Sequence, residues 1–379
     1  MRIAVNTRLF LKGKLEGIGW FAHELLSRMV LQHPEHEFIF FFDRPYHKDF
    51  IFAPNVTPVV LKPQARHPAL YILWTELAIP HALKKYKADL YFSPDGLGSL
   101  NTKVPTCITI HDLAYKHYPQ FIDKLHKWHY ARYLPKFAKA AKKIVAVSEY
   151  TKQDVVQQFD ITPEKIDVIY NGAITNYAPL SFAEKQKVKE QYTGGEEFFL
   201  FTGALHPRKN IINLLKAFVQ FKRRQKSSIK LIVVGRMAWQ FKEIVEAKER
   251  MPYKDDVIWT GYLEVAELAN LTASAYAMVY PSLFEGFGIP ILEAMTCDVP
   301  VIVSNTSSMP EVAGDAGLLV DPTSPEDIAA KMMMVYKDEV LRNKMIAAAR
   351  IQKEKFSWDI SAEKLWQTLM SCLPEGQQK

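Results

Sequence analysis

Glu285 and Glu293 stand eight residues apart in PSLFEGFGIPILEAMTCDVPVIVS, residues 281–304, with Gly286, Gly288 and Pro290 between them. A carboxylate can accept hydrogen bonds from two neighbouring hydroxyls at once, which suits a sugar. The glycines let the backbone come close to a ligand. Pro290 suits the first turn of a helix, where its missing N–H would have no intrahelical partner. The N–H groups around Phe287, Gly288 and Ile289 would then face outward at a helix N-terminus, which favours anions and hydroxyl oxygens. The pattern predicts a sugar and a phosphate lying across one helix end. By itself Glu-x7-Glu is common, and a glutamate in a first helical turn is ordinary.

Other chemistry-bearing residues lie elsewhere. Arg208 and Lys209 follow Gly203 in FTGALHPRKN. Alone, two adjacent cations there read as a solvated basic pair before a helix. His111 and Asp112 in TIHDLAYKHYPQ follow an apolar run. They read either as ligand-facing groups or as a buried structural pair. Gly17 and Gly19 open a helical stretch, and Gly-x-Gly alone usually marks a tight turn.

These residues need elements to position them. RIAVNT, EFIFFF, ADLYFSP, TCITIHD, KIVAVSE and IDVIYNG read as strands. GIGWFAHELLSRMVLQH has helical spacing at Phe21, Leu25, Met29 and Val30, and SEYTKQDVVQQF reads as a helix with Ser148 as N-cap. The polar stretch 174–197 reads as a linker containing one helix. A second series follows: FFLFT, IKLIVVGR, VIWTGYL, YAMVYPS, VPVIVS and AGLLVD, each trailed by a helical run. Alternation of this kind, twice over, predicts two parallel α/β sheets. Ligands of such sheets bind beyond the carboxyl ends of the strands, where most of these motifs fall.

Composition agrees. The 379 residues suit two domains, and 48% apolar with 23% charged residues is ordinary for a globular chain. Only the tail EGQQK reads as disordered. Three scattered cysteines show no metal-ligand spacing and suit a reducing compartment. No apolar run is long enough to span a membrane, and the N-terminus reads as a strand. Residues 1–172 carry 23 Lys+Arg against 16 Asp+Glu, so they hold the whole net charge of +7. Halves so different in charge are expected to meet different partners.

The segment FEGFGIPILEAMTCDVPVIVSNTSSMPEVAGDAGLLVDP resembles the C-terminal signature of family-4 retaining glycosyltransferases, with its E-x7-E and its PEV.G.AG.L.DP run. VVGR at 233–236, TGYLEVAELANL and FSWD near Phe356 resemble that family too, as does EGIGWFAHELL, although Trp20 stands where many members have Arg. The resemblance implies a GT-B fold: two Rossmann-like doubly wound domains facing across a cleft, with a C-terminal helix crossing back to the first. Residues 1–175 with a helix at 359–379 would form the acceptor-side domain, and 176–358 the donor-binding domain. It further implies roles. Arg208 and Lys209 would grip the donor diphosphate, with Gly17, Gly19, Gly203, Phe287, Gly288 and Ile289 lining the donor site. Glu285 would hold the sugar hydroxyls, Glu293 the ribose, and backbone at Tyr262 and Leu263 the base. His111 would meet the donor sugar, with Asp112 on the acceptor side. The reaction would retain anomeric configuration and need neither metal nor other cofactor.

The expected substrates are a nucleotide sugar, best read as GDP-mannose from the IHDL segment, and a glycan or lipid-linked acceptor in cell-surface polysaccharide or lipopolysaccharide synthesis. The alternatives are a nucleotide-sugar epimerase on the same fold, or a non-catalytic basic binding module. A sequence pI near 9.0 would suit nucleic acid, but no nucleic-acid motif accompanies it, so that partner is not expected. The stretch Lys124–Lys143, with Leu125, Trp128, Leu134 and Phe137 among its cations, reads as a basic amphipathic helix bent or broken near Pro135. It predicts peripheral attachment to an anionic membrane from the cytoplasmic side; the bland reading packs its apolar side on its own domain.

Overall fold

The computed structural model describes residues 1–379 apart from 14, 174, 238–240, 375 and 377–379. Of the tail EGQQK, all but Gly376 fall outside the described residues. The chain divides into two units. Unit 1 comprises Met1–Asn171 and Ser357–Lys379, and unit 2 comprises Gly172–Phe356. The return to unit 1 begins at Ser357 because that residue caps the helix Trp358–Met370, accepting from the N–H of Ile360.

Unit 1 is built on a seven-stranded parallel sheet. Its strands are β1 Arg2–Asn6, β2 Glu37–Phe42, β3 Val56–Val60, β4 Leu90–Ser93, β5 Thr106–Ile110, β6 Lys143–Ala146 and β7 Ile166–Val168, in the order β3-β2-β1-β4-β5-β6-β7. Parallel strands covered on both faces read as continuous apolar runs, as EFIFFF and TCITI do. Strand β3, VTPVV, was not among the expected strands. Pro58 removes a ladder donor, which is tolerated because β3 is an edge strand. The helix Gly17–Gln32 buries Phe21, Leu25, Leu26, Met29 and Val30, the spacing seen in the sequence.

Helix Trp358–Met370 packs on helix Gly17–Gln32. Trp366 stacks on His33 at 3.6 Å, Arg28 pairs with Asp359 at 2.7 Å, and the Ser361 hydroxyl donates to the Tyr170 carbonyl at 2.8 Å. The final helix therefore does join unit 1, but it stops at Met370 and does not run to 379. Pro374 disfavours helical backbone in the residue before it.

Unit 2 has six parallel strands: β8 Phe198–Thr202, β9 Lys230–Val234, β10 Val257–Gly261, β11 Ala277–Tyr280, β12 Val301–Ser304 and β13 Gly317–Val320, ordered β10-β9-β8-β11-β12-β13. Before β8 lies the helix Phe182–Thr193, started by a capping box between Ser181 and Glu184. Each sheet has one place where neighbouring strands send their chains in opposite directions. In unit 1 it lies between β1 and β4, and in unit 2 between β8 and β11. Open α/β sheets bind ligands beyond the carboxyl ends of strands at such switch points.

Candidate active site

In unit 2 the loops after β8 and β11 meet at the switch point. After β8 the chain turns at Gly203, whose φ of +145° suits glycine. Gly235, after β9, is held so close that a Cβ on it would lie 1.9 Å from the Gly203 carbonyl oxygen. His206 then accepts a hydrogen bond from the Arg208 N–H at 3.2 Å, opening the single turn Pro207–Lys209. Asn210 anchors that turn, donating to the carbonyls of Pro281 at 2.9 Å and Pro322 at 2.6 Å. Arg208 and Lys209 are thereby presented at the strand end.

Their common partner is Glu285, on the loop after β11. Lys209 Nζ lies 2.7 Å from Glu285 Oε1, and Arg208 Nη1 lies 3.3 Å from Oε2. Oε1 also accepts from the Ser282 hydroxyl at 2.6 Å and the Tyr280 phenol at 3.2 Å. Arg208 donates to the Phe284 carbonyl as well. The Glu285 side chain is buried, which would raise its pKa, yet the two cations and their hydrogen bonds hold it down at about 2. The expected division, cations for phosphate and Glu285 for sugar, is thus drawn together into one ion cluster. Remaining acceptor capacity is on Oε2, the oxygen with the longer contact.

Serines after β12 hold this loop in shape. Ser307 accepts from the Glu285 N–H at 3.0 Å, and Ser308 donates to the carbonyls of Glu285 and Phe287 at 2.9 Å each. Phe287 turns its ring inward onto Phe356, centroids 5.4 Å apart, so it contributes backbone and not side chain. Gly288, with φ +103°, caps the helix Ile289–Thr296. The first N–H groups of a helix have no intrahelical acceptor, which leaves an anion-favouring end here. Tyr262 and Leu263 follow β10, with Tyr262 exposed.

Glu293 lies within that helix and is buried. Desolvation raises its pKa to about 7, and the hydrogen bond with Tyr177 only partly offsets this. The two glutamates of the motif therefore differ in charge state near neutrality. A folded-state pKa above the ordinary 4.5 means stability that is complete below pH 4.5 and lost as pH rises through about 7. Glu293→Gln should match the wild type in urea denaturation at pH 4.5 and exceed it by about 2–3 kcal/mol at pH 8. Equal stability at pH 8 would rule out the desolvated carboxyl.

Unit 1 carries the remaining candidates. His111 follows β5; its Nε2 lies 2.7 Å from the Pro94 carbonyl oxygen, and burial lowers its pKa, so that nitrogen donates from a neutral ring. Asp112 accepts from the Ala114 N–H at 2.9 Å. Gly17 begins the helix after β1, and Gly19 is buried against Leu15, where a Cβ would lie 3.0 Å from Leu15 Cδ2. Ile18, between them, lines one cavity together with His111 and Asp112. Sequence reading missed Tyr177, Tyr280, Ser282 and the serines after β12. SNTSSMPE was legible as a motif, but its loop-pinning role depends on contacts with residues about twenty positions earlier. Among the described residues, one group of side chains could ligate a metal, His33, Glu35 and His36 at the end of the first helix, and none of them belongs to these motifs.

Two doubly wound units, one carrying a cationic pair, a glutamate loop and a helix end at its switch point, define a GT-B glycosyltransferase. Residues 182–352 match the family described as glycosyl transferases group 1, and residues 15–177 match glycosyltransferase family 4. The chain is 32% identical over 280 residues to O-antigen chain mannosyltransferase B of Escherichia coli, across 73% of each chain. It is 36% identical over 218 residues to the O-antigen chain mannosyltransferase RfbU of Salmonella typhimurium strain LT2, across 57% of this chain and 56% of that protein. The crystal structure of Anabaena HepE with UDP-glucose superposes with a TM-score of 0.76 at 19% identity, over 98% of this chain and 100% of that one, which shows a shared fold. The protein belongs to the family-4 glycosyltransferases.

Proposed function

We infer that the chain moves mannose from GDP-mannose to a glycan or lipid-linked acceptor in the synthesis of a cell-surface polysaccharide, with retention at the anomeric carbon. The observation that carries this reading is Lys209 and Arg208 held on Glu285 at the switch point of unit 2. A leaving diphosphate would find two positioned cations there, and its developing charge would compete with Glu285 for them. The acceptor oxygen bonds to the anomeric carbon on the face from which the diphosphate leaves. The carbon–oxygen bond to the phosphate breaks, and the phosphate takes the acceptor's proton. Glu285 is a poor nucleophile while two cations hold its pKa near 2, which favours this route over a covalent glycosyl-enzyme. Mannose is supported by the two relatives named as mannosyltransferases. The cationic pair offers the diphosphate what a divalent metal otherwise supplies, and transfer is proposed to need no metal.

Thermal shift against nucleotide sugars tests the donor, since a ligand stabilises the protein by its affinity. GDP-mannose should raise Tm most, product NMR should show the donor's anomeric configuration, and EDTA should leave the rate unchanged. Stabilisation by UDP-sugars alone would overturn the donor. Epimerisation without acceptor would instead favour the alternative enzyme class.

The acceptor side is proposed to touch an anionic membrane. No described helix is long and apolar enough to cross one. The basic segment forms the helix Lys124–Ala140, which continues through Pro135 and is not broken there. Lys142 lies beyond it, and Lys143 begins β6 with its ammonium 3.2 Å from Asp167. The apolar set splits: Phe137 is buried, whereas Trp128 and Leu125 are 50% and 41% exposed beside the exposed Lys124 and Lys127. Each Lys or Arg near an anionic surface contributes about 1 kcal/mol. Co-sedimentation with phosphatidylserine vesicles should rise with anionic fraction, fall with salt, and drop when Lys124, Lys127, Arg132 and Lys136 become Glu. Wild-type protein left in the supernatant at low salt would sink the idea.

A further inference from the structure

The helix Gly17–Gln32 gives way to His33, Pro34, Glu35 and His36, and β2 begins at Glu37. This turn lies at the amino end of β2, the opposite end of the sheet from the loop that carries His111 and Asp112. Its backbone is pinned from outside. The side-chain nitrogen of Asn55, just before β3, lies 3.1, 3.2 and 3.1 Å from the carbonyl oxygens of Val30, His33 and His36. The His36 N–H donates to the His33 carbonyl at 3.2 Å. Three side chains able to bind an ion therefore stand on a fixed frame.

Those side chains converge. One ligand atom from each of His33, Glu35 and His36 lies within 4.8 Å of the other two. Glu35 Oε1 is 3.6 Å from His33 Nδ1 and 3.2 Å from His36 Nε2. A tetrahedral ion with bonds of about 2.0–2.1 Å to nitrogen and oxygen spaces neighbouring ligand atoms about 3.3–3.4 Å apart. Both distances are close to that edge. The rings are held by their faces: Trp366 of the final helix stacks on His33 at 3.6 Å and on His36 at 5.1 Å, with interplanar angles of 15° and 21°. Stacking by the face leaves a ring's edge, where its nitrogens sit, to other partners. His36 Nδ1 meets the Met1 backbone nitrogen at 3.3 Å, which leaves Nε2 for an ion. As ion pairs these contacts are weak, because the Glu35 side chain is 60% exposed and a surface pair stabilises little. The same exposure gives an ion and its water a way in. Two imidazoles with one carboxylate suit zinc and its neighbours, whereas magnesium and calcium take oxygen ligands.

We propose that His33, Glu35 and His36 bind one divalent transition-metal ion, zinc by its preference for this ligand set, with water completing the tetrahedron. The ion is structural. It joins the end of the first helix to the start of β2 and fixes both imidazoles flat against Trp366. It thereby braces the final helix on unit 1, beside the Arg28–Asp359 pair. It takes no part in glycosyl transfer.

The test uses the full chain, stripped of metal with a chelator and dialysed, and the variants Glu35→Gln, His33→Phe and His36→Phe. Glutamine keeps the shape of an exposed side chain, and phenylalanine keeps a flat ring to stack on Trp366. Each variant should therefore melt close to wild type without metal. Zinc chloride titrated by calorimetry should fill one strong site per chain in the wild type. Each variant should weaken that site at least tenfold, since even the outer-shell partners of a metal are worth about 10–100-fold in affinity. Zinc should raise the Tm of the wild type and leave that of the variants unchanged. Nickel, which quenches fluorescence on close approach, should quench tryptophan emission in the wild type, and zinc should reverse this by competition. Trp366→Phe should remove that quenching and still bind zinc. Absence of a saturable zinc site in the wild type overturns the proposal. So does a site of unchanged affinity in all three ligand variants, which would mark the zinc as adventitious binding to other histidines.

Discussion

Lys209→Met is expected to lower kcat by about 100-fold or more, with a far smaller change in KM for the nucleotide sugar. Removing one preorganised group aimed at developing charge typically costs that much. The methionine keeps the methylenes that pack beside Gly203, where Lys209 Cε lies 3.6 Å from a built Cβ, and removes only the ammonium. In the resting site that ammonium is shared by Glu285 and the Tyr280 phenol, 2.7 and 2.6 Å away. In the proposed reaction the leaving diphosphate's charge would become the stronger partner. The interaction then grows towards the transition state, and the loss should fall on kcat more than on binding. Steady-state kinetics with saturating acceptor checks this. A variant with normal kcat and raised KM would show that Lys209 only binds the ground state. Arg208→Ala should be at least as damaging, but it is harder to read, because Arg208 also holds the Phe284 carbonyl.

Glu285→Gln should abolish most turnover and also change how the protein responds to acid. Glutamine keeps the shape but cannot neutralise two cations, and breaking a buried ion pair by removing one partner costs about 3–5 kcal/mol. A pKa held at about 2 against an ordinary 4.5 means a contribution present above pH 4.5 and lost as pH falls towards 2. The wild type should therefore lose stability across that window, while Glu285→Gln should start lower and lose less. Denaturant unfolding at pH 7 and pH 3 measures both. If the two proteins lose equal stability between those pH values, Glu285 is not the carboxylate that the cations hold.

The element series was legible because buried parallel strands announce themselves as short apolar runs, as in EFIFFF, FFLFT and VIVS, and amphipathic helices by their spacing. β3 escaped because Pro58 breaks the strand pattern, which only an edge position tolerates. Residue types at the site were legible too. Glu285 and Glu293 stood out by type and spacing, but their roles and those of Arg208 and Lys209 rested on the resemblance to the family signature. The segment around His129 was read for its lysines. Yet His129, Tyr133 and Phe137 recur every four residues, the spacing of one helix face, and His129 and Phe137 are buried.

What the sequence alone determined was the two-sheet α/β class, the family signature and the kinds of group at the site. Which groups meet was decided by tertiary structure. Lys209 and Glu285 are 76 positions apart and Arg8 and Asp95 are 87 apart, and each pair closes over a switch point. The order of strands in a sheet depends on how crossovers pack, and local periodicity carries no record of it. Charge state was decided the same way. Two glutamates of one motif are set at about 2 and about 7, because both are desolvated by burial but only the first faces cations. Burial and partners set that difference, and both arise only when distant segments pack together.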